Sequence, residues 1–180
     1  MKDGFSKNWR SNGEAIAFDH GTWEFKSRHF YYSARQLLTE FDSQITVPNY
    51  EVVMHLMSAV FLSSLAIELI CKAYFLKSKF GPREQIFTHS LNNFLAADLL
   101  NDRQLELLVR AEQNVVWAGR YPTPIWKKEL AKENYDVPVT LVDGIEHIDA
   151  MQIPTSSSRA QIEDLMALYA HIHSAWHQLV

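Results

Sequence analysis

One apolar segment bounded by two helix-breaking signals constrains the fold more than any other feature. Pro-Asn at residues 48–49 opens this segment, and Gly-Pro at residues 81–82 closes it, in the order that helix termini prefer. A helix of about 30 residues would be about 45 Å long at a rise of about 1.5 Å per residue. Its first half is apolar on nearly every face, so neighbouring elements must cover it on all sides. The segment therefore predicts the central helix of a helical bundle.

Amphipathic helical spacing recurs on both sides of this segment. Apolar residues return at steps of three and four over 23–41, 105–116 and 162–180, as they do on the buried face of a helix. A shorter helix fits residues 89–100. The predicted N-terminal caps of these helices are Thr22, Thr88, Asn101 with Gln104 in a capping-box pattern, and the serines 156–158. The first helix is expected to end near Ser43.

These patterns predict a single all-α domain, an up-down bundle of about five helices. A chain of 180 residues can bury a sufficient core without a metal or a disulfide. Residues 1–21 lack helical spacing and are expected to form an irregular N-terminal arm, so the domain spans 22–180. Prolines and a serine triplet predict an elaborated loop over 121–158, before the last helix, with only a weak strand pattern at 138–142.

Composition and charge bear on location and partners. The formal net charge of −4 argues against a broad electrostatic grip on nucleic acid. No apolar run follows the first charged residues, so no signal peptide is expected. A membrane span over 52–70 would place Glu68 near the bilayer centre, which is costly. We therefore expect a cytoplasmic protein with no membrane partner, in which the single cysteine, Cys71, is a buried thiol.

Glu68 and Lys72 are the charged pair of the central helix. They stand four residues apart in the favoured order, so their side chains meet on one helix face. On a surface, such a pair stabilises a helix by only about 0.2–0.5 kcal/mol. If both side chains are buried, leaving either unpaired is costly, and further polar partners are expected. The sequence leaves the structural and the functional interpretation open.

The turn after the fourth predicted helix reads Gly-Arg-Tyr-Pro over residues 119–122. Gly and Pro end a helix, and a cation at a helix C-terminus interacts favourably with the dipole, so Arg120 has a structural explanation. Its planar guanidinium is equally suited to phosphate or carboxylate. A ligand-binding role for Arg120 and Tyr121 therefore stays open beside the structural one.

Eight histidines raise the question of a metal site. His173 and His177 have the spacing that can place two ligands on one helix face. No HExxH or CxxC motif accompanies them, and His173 falls on the apolar seam of the last helix, so we interpret it as a satisfied core histidine. We expect no metal, no cofactor and no Ser-His-Asp or Cys-His catalytic arrangement.

Three features together resemble the HEPN domain superfamily (higher eukaryotes and prokaryotes nucleotide-binding). They are the central helix with Glu68 and Lys72, the Thr-His-Ser-Leu sequence at 88–91, and the Arg-Tyr-Pro corner at 120–122. The resemblance covers residues 22–180 and implies an all-α bundle. HEPN proteins typically form homodimers, sit beside nucleotidyltransferases or in prokaryotic defence and toxin systems, and in one branch cleave RNA without a metal. The resemblance implies the same kinds of partner here: a second copy, a nucleotide or RNA, or a nucleotidyltransferase or other protein.

The RNA-cleaving HEPN branch carries an Arg-x4-6-His motif on a late helix. After Arg120 the corresponding positions, 125–127, hold Ile, Trp and Lys, so no histidine can act there as general acid or base. Arg83 and His89 match the bare spacing, but they straddle a loop and a predicted helix cap. Arg83 and His89 are therefore kept as the catalytic candidates of an alternative, a metal-independent ribonuclease.

The leading hypothesis is a non-enzymatic HEPN-like module that binds a nucleotide, RNA or a partner protein, in a prokaryotic defence or toxin-antitoxin context. Arg120 and Lys72 would receive a phosphate, and His89 would orient it. A third hypothesis is a structural dimerisation protein with no ligand pocket. The predicted ligand-binding residues, expected to converge between the second and fourth helices, are Glu68, Lys72, His89, Arg120 and Tyr121.

Overall fold

Helices make up most of the chain that the computed structural model describes, which is residues 13, 15–44, 50–79, 81–117, 139–142, 145–148 and 155–179. The long helices are α1 (His20–Gln44), α2 (Tyr50–Ser78), α3 (Asp102–Trp117) and α4 (Thr155–Gln178). Two 3-10 helices, Arg83–Phe87 and Leu91–Phe94, follow α2 along the chain, and an antiparallel hairpin of β1 (Val139–Val142) and β2 (Ile145–Ile148) follows α3.

Helix α2 is the central element of the fold. It packs against α1, α3 and α4, and every residue from 66 to 76 is buried. Among the described helices, its segment His55–Ser78 is long and apolar enough to cross a membrane, but 78% of that apolar window is buried inside the fold. Because other helices cover its apolar faces, α2 occupies the position of a core helix. The predicted all-α bundle is confirmed.

The predicted helix over 89–100 is wrong. This part of the chain forms the 3-10 helix Leu91–Phe94 and then irregular backbone. Thr88 does not cap a following helix, because its hydroxyl and its backbone N–H both donate to the carbonyl of Gln85, 3.0 Å away, at the end of the preceding 3-10 helix. Leu91 and Phe94 are both fully buried, and side chains three residues apart line up in a 3-10 turn.

Helix α1 begins two residues before the predicted cap, Thr22. Its cap is Asp19, whose carboxylate accepts the backbone N–H groups of Gly21 (3.3 Å) and Thr22 (2.9 Å) and the hydroxyl of Thr22 (2.6 Å). A carboxylate at this position also interacts favourably with the helix dipole. The predicted irregular arm is helical at residues 15–17, and residues 1–12 lie outside the described part of the chain.

Helix α3 begins with the capping box that its sequence predicts. The backbone N–H of Gln104 donates to Asn101 Oδ1 (2.9 Å), and the backbone N–H of Asn101 donates to Gln104 Oε1 (3.1 Å). These reciprocal bonds satisfy donors that a helix start otherwise leaves free. The prediction of Asn101 as the cap of this helix is confirmed.

The segment 121–158 differs from the predicted loop where it is described. Val139–Val142 and Ile145–Ile148 pair as antiparallel strands. The weak strand pattern therefore forms a strand, because a second β-branched segment lies close enough in sequence to pair with it. Helix α4 begins at Thr155, so the serines 156–158 belong to its first turn instead of preceding it. The remaining residues of the segment lie outside the described ranges.

Replacing Asp19 by Ala is expected to lower the free energy of unfolding by about 1 kcal/mol at neutral pH, because the first N–H groups of α1 lose their acceptor. The hydrogen bond from the Thr22 hydroxyl holds the pKa of Asp19 below its ordinary value of 3.8. A carboxylate whose pKa is lowered by folding contributes stability above its unfolded-state pKa, and the contribution disappears as pH falls through the folded-state pKa.

Urea denaturation of the wild-type protein and of Asp19→Ala, at neutral pH and in acid well below the folded-state pKa of Asp19, measures both effects. Asp98→Ala is the control, because Asp98 is exposed and caps no helix. An equal loss in Asp98→Ala, or a loss in Asp19→Ala that persists in acid, would contradict the assignment of Asp19 as the cap.

Candidate functional site

Glu68 and Lys72 form a buried ion pair on α2. The side chains lie one helical turn apart, and Lys72 Nζ is 2.5 Å from Glu68 Oε1. The residues are only 4% and 5% exposed, which answers the question that the sequence leaves open. Removing one partner of a buried pair leaves an uncompensated charge in the core. The two charges therefore depend on each other inside the bundle.

Trp23 of α1 covers the cation of this pair. Lys72 Nζ lies 5.4 Å from the centroid of the Trp23 ring, in the range of a cation–π contact. The indole N–H of Trp23 donates to the carbonyl of Ala17 at 2.7 Å, which fixes the ring. The Lys72 ammonium group therefore lies between the Trp23 ring and the Glu68 carboxylate, away from solvent.

His89 is the residue of this cluster that reaches the solvent. Its Nδ1 lies 3.1 Å from Glu68 Oε1, and its side chain is 42% exposed. A carboxylate accepts hydrogen bonds, so this contact favours the tautomer with the proton on Nδ1, and Nε2 has no partner among the described residues. Close by, the backbone N–H of Leu91 donates to Glu112 Oε2 at 3.0 Å and ties this loop to α3. The imidazole is therefore held in one orientation.

The structure brings together Glu68, Lys72 and His89 of the predicted ligand-binding set. Arg120 and Tyr121 lie outside the described residues, so their convergence on this cluster stays a prediction. Arg83 is exposed on the first 3-10 helix and makes no hydrogen bond or ion pair with any described residue. Their spacing in the sequence is the only observation that pairs Arg83 with His89 as catalytic candidates, because no hydrogen bond or ion pair joins their side chains.

A second polar cluster lies where α1 meets α4, and sequence reasoning missed it. Glu24 is 7% exposed, and its Oε1 accepts His173 Nε2 at 2.9 Å. Arg28 Nε lies 3.4 Å from the same oxygen. The cluster borders a cleft of about 360 Å³ that is lined by Arg28, Tyr31, Tyr32, Tyr169, Ala170, His173, Ser174 and His177.

A partial signal for this cluster exists in the sequence. Glu24 and Arg28 stand four residues apart in the same order as Glu68 and Lys72, within an amphipathic helix. The hydrogen bond to His173 agrees with the interpretation of that residue as a satisfied histidine. Its partner could not be found from the sequence, because no local pattern links residues that are 149 positions apart.

Tyr169 forms the buried wall of the cleft. Its ring stacks on Tyr31 with centroids 4.5 Å apart, and its hydroxyl is 3.2 Å from Ser27 Oγ. Burial raises the pKa of Tyr169 to about 12, and the nearby Glu24 carboxylate acts in the same direction. The phenol is therefore neutral at physiological pH and serves as a rigid, uncharged surface.

Metal and thiol chemistry receive no support from the described side chains. No group of three or more His, Cys, Asp or Glu residues among them could hold a metal ion. Cys71 is fully buried, and burial, with a smaller effect of the Glu68 carboxylate, raises the pKa of its thiol. A thiol in this position is protonated and inaccessible, which makes it a poor nucleophile.

Comparisons of the chain with protein-family models, with curated proteins and with solved structures found no match. Membership of the HEPN superfamily, homodimer formation, a cytoplasmic location and a nucleotide, RNA or nucleotidyltransferase partner therefore stay predictions. The all-α bundle and the buried Glu68–Lys72 pair with its histidine are the structural observations from which a function can be argued.

Lys72→Met and Glu68→Leu are each expected to lower the free energy of unfolding by about 3–5 kcal/mol, because each leaves one buried charge unpaired. The double variant is expected to lose less than either single variant, since no charge is then stranded. Urea denaturation of all four proteins measures the coupling.

The control for this cycle is the exposed pair Arg159 and Glu163 of α4, which also stand four residues apart, at 3.1 Å. Glu163→Gln is expected to cost less than about 1 kcal/mol, because water screens an exposed pair. Additive losses in the Glu68–Lys72 cycle would show that the two charges do not depend on each other.

Proposed function

We propose that this chain is a non-enzymatic, HEPN-like module that binds a nucleotide or an RNA end at His89. One observation carries the proposal: a buried ion pair stands behind an exposed imidazole and fixes its orientation. A fixed polar group costs less conformational entropy on binding than a mobile one.

The roles of the residues differ from those that the sequence suggests. Lys72 was expected to receive a phosphate, but its ammonium group is covered by Trp23 and neutralised by Glu68. With 5% of its surface exposed, Lys72 has almost no area to offer a ligand. In this proposal Lys72 supports Glu68, Glu68 orients His89, and His89 contacts the ligand. Arg120 is the predicted phosphate contact that remains.

The chemistry of His89 suits a nucleotide. With the proton on Nδ1, neutral Nε2 accepts a hydrogen bond from a ribose hydroxyl or a base amino group. When the imidazole is protonated, Nε2 donates to a phosphate oxygen in a charge-assisted bond. A nucleotide carries all of these groups within a few ångströms of one another. The ionic state of His89 therefore changes which part of the ligand it holds.

His89→Ala is expected to weaken nucleotide binding by about 10- to 100-fold, the equivalent of one hydrogen bond to a charged group. Isothermal titration with nucleoside mono-, di- and triphosphates, and with a 3′- or 5′-phosphorylated RNA oligonucleotide, measures it. His171→Ala is the matched control, because His171 is also exposed and hydrogen-bonded, to the carbonyl of Leu99 at 3.0 Å.

Nucleotide stabilises the folded protein if it binds, by about 2.7 kcal/mol at 100 times the dissociation constant. A thermal-shift series with the same ligands checks the titration independently. Absence of binding by the wild-type protein, or equal weakening in His89→Ala and His171→Ala, would contradict the proposal. Capture of a protein partner at His89 in place of a nucleotide would contradict it as well.

A second candidate function, metal-independent RNA cleavage, is favoured by the same carboxylate-backed histidine. A general base needs an accessible nitrogen and a group that holds its tautomer, and Glu68 and His89 provide both. Nε2 would take the proton of a ribose 2′-hydroxyl, whose oxygen attacks the adjacent phosphorus. The bond to the 5′-oxygen then breaks, and this oxygen takes a proton from water, which gives a 2′,3′-cyclic phosphate and a 5′-hydroxyl. Arg83, exposed on the preceding 3-10 helix, is the candidate cation for the phosphate.

Incubation of the purified protein with structured RNA in EDTA separates the two functions. The proposed binding module leaves the RNA intact in the wild-type protein and in Arg83→Ala and His89→Ala. Cleavage by the wild-type protein that is lost in both variants would establish the ribonuclease and overturn the non-enzymatic assignment. Cleavage that survives in His89→Ala would point to a contaminating nuclease, which heat-treated and mock-purified samples identify.

A further inference from the structure

The open cleft between α1 and α4 has the volume of a small-molecule site. Its volume is about 360 Å³, within the range of about 300–1,000 Å³ that is typical of ligand pockets. Aromatic rings and hydrogen-bonding groups alternate along its wall. The cleft and the His89 cluster share no residue.

Two of the residues that line the cleft, Arg28 and His173, share the Glu24 carboxylate, which does not itself line the cleft. Glu24 Oε1 accepts His173 Nε2 at 2.9 Å and lies 3.4 Å from Arg28 Nε. The Arg28 guanidinium also lies over the Phe25 ring, 6.0 Å from its centroid, and its two Nη groups make no hydrogen bond or ion pair with a described residue. The Arg28 side chain is 47% exposed, and a guanidinium can hold an oxyanion with two parallel N–H bonds.

Further hydrogen-bond donors border the same cleft. The hydroxyls of Tyr31, Tyr32 and Ser174 have no hydrogen-bond partner among the described residues, and all three residues line the cleft. His177 is exposed at its edge and packs edge-to-face against His173, with centroids 4.6 Å apart. The buried Glu24 carboxylate is already bound by His173 and Arg28, and a hydroxyl both donates and accepts hydrogen bonds, so the Arg28 Nη groups are the dedicated donors of the cleft.

Stacked aromatic rings form one wall of the cleft. Parallel rings of Tyr31, Tyr169 and His173 stack in series, with centroids 4.5 Å and 5.5 Å apart. Burial keeps the pKa of Tyr169 at about 12, so its phenol adds no negative charge. Tyr32 stands edge-on to Tyr31 and is 56% exposed, which leaves an aromatic face free.

We propose that this cleft binds a phosphate monoester whose organic group packs against Tyr32. The Arg28 guanidinium would hold two phosphate oxygens, and the Tyr31 or Tyr32 hydroxyl would donate to a third. The terminal oxygens of a phosphate monoester point in three tetrahedral directions, so a guanidinium and a hydroxyl outside its plane can bind them together, whereas the acceptor sites of a carboxylate lie in one plane. The proposal goes beyond the proposed function, because it concerns a separate site that does not involve His89.

Isothermal titration of the full chain with adenosine monophosphate, inorganic phosphate and adenosine tests the proposal and separates the possible sources of the phosphate. The monophosphate and phosphate are expected to bind, and adenosine is not. Tighter binding of the monophosphate than of phosphate is expected from contact with Tyr32. Equal affinities would overturn that contact, and binding of adenosine alone would overturn recognition of the phosphate.

Arg28→Gln is expected to weaken binding of the monophosphate at least tenfold, and Arg28→Lys is expected to restore only part of it, because a lysine lacks the planar fork. Arg35→Gln is the control, since Arg35 is exposed on the same helix and does not line the cleft. Tyr32→Phe keeps the ring and removes the hydroxyl, so a smaller loss is expected. Circular dichroism verifies that each variant is folded.

The His89→Ala variant distinguishes this proposal from the previous one. If both proposals hold, the titration shows two sites, of which Arg28→Gln removes one and His89→Ala removes the other. Binding that is lost in Arg28→Gln and kept in His89→Ala supports the cleft and contradicts nucleotide binding at His89. Binding that is lost in His89→Ala and kept in Arg28→Gln overturns the cleft and leaves the proposed function standing. Absence of binding of both phosphate and the monophosphate by the wild-type protein overturns the cleft proposal outright.

Discussion

The buried ion pair of Glu68 and Lys72 is the constraint on which the rest of the structure depends. Two charges in the most buried stretch of α2 are tolerated only because each neutralises the other and both have further partners. Trp23 supplies a partner from α1, and His89 supplies one from the loop after α2. The pair therefore fixes the positions of two neighbouring segments relative to the central helix.

This arrangement connects packing with function. Apolar side chains could fill the same space at lower risk, so a charged pair in a core calls for a reason beyond stability. In the proposed function that reason is His89, whose Nδ1 lies 3.1 Å from the Glu68 carboxylate while Nε2 faces outward. The cluster at Glu24 repeats the same design on α1, with a buried carboxylate that holds one histidine and one cation beside a cleft.

Features set by neighbouring residues could be predicted from the sequence. The spacing of Glu68 and Lys72, the capping box of Asn101 and Gln104, and the central apolar helix follow from helical periodicity and cap chemistry, and the structure contains them all. Features set by distant contacts could not be predicted. The cover of Lys72 by a ring 49 residues earlier in the chain depends on tertiary packing.

Local competition explains the errors in the remaining elements. Thr88 could cap a following helix or satisfy a preceding carbonyl, and only the packing of the buried 3-10 turns selects the second. Asp19 and Thr22 are both good caps, and the carboxylate reaches more of the free N–H groups. In both cases the sequence offers two chemically sound choices, and the three-dimensional environment decides between them.

The tautomer of His89 tests the central claim most directly. A long-range proton–nitrogen correlation spectrum of the nitrogen-15-labelled protein, recorded at a pH where the imidazole is neutral, identifies the protonated ring nitrogen. A buried carboxylate that orients the ring predicts a single tautomer with the proton on Nδ1. A proton on Nε2, or exchange between the two tautomers, would show that Glu68 does not hold the histidine and would contradict the account.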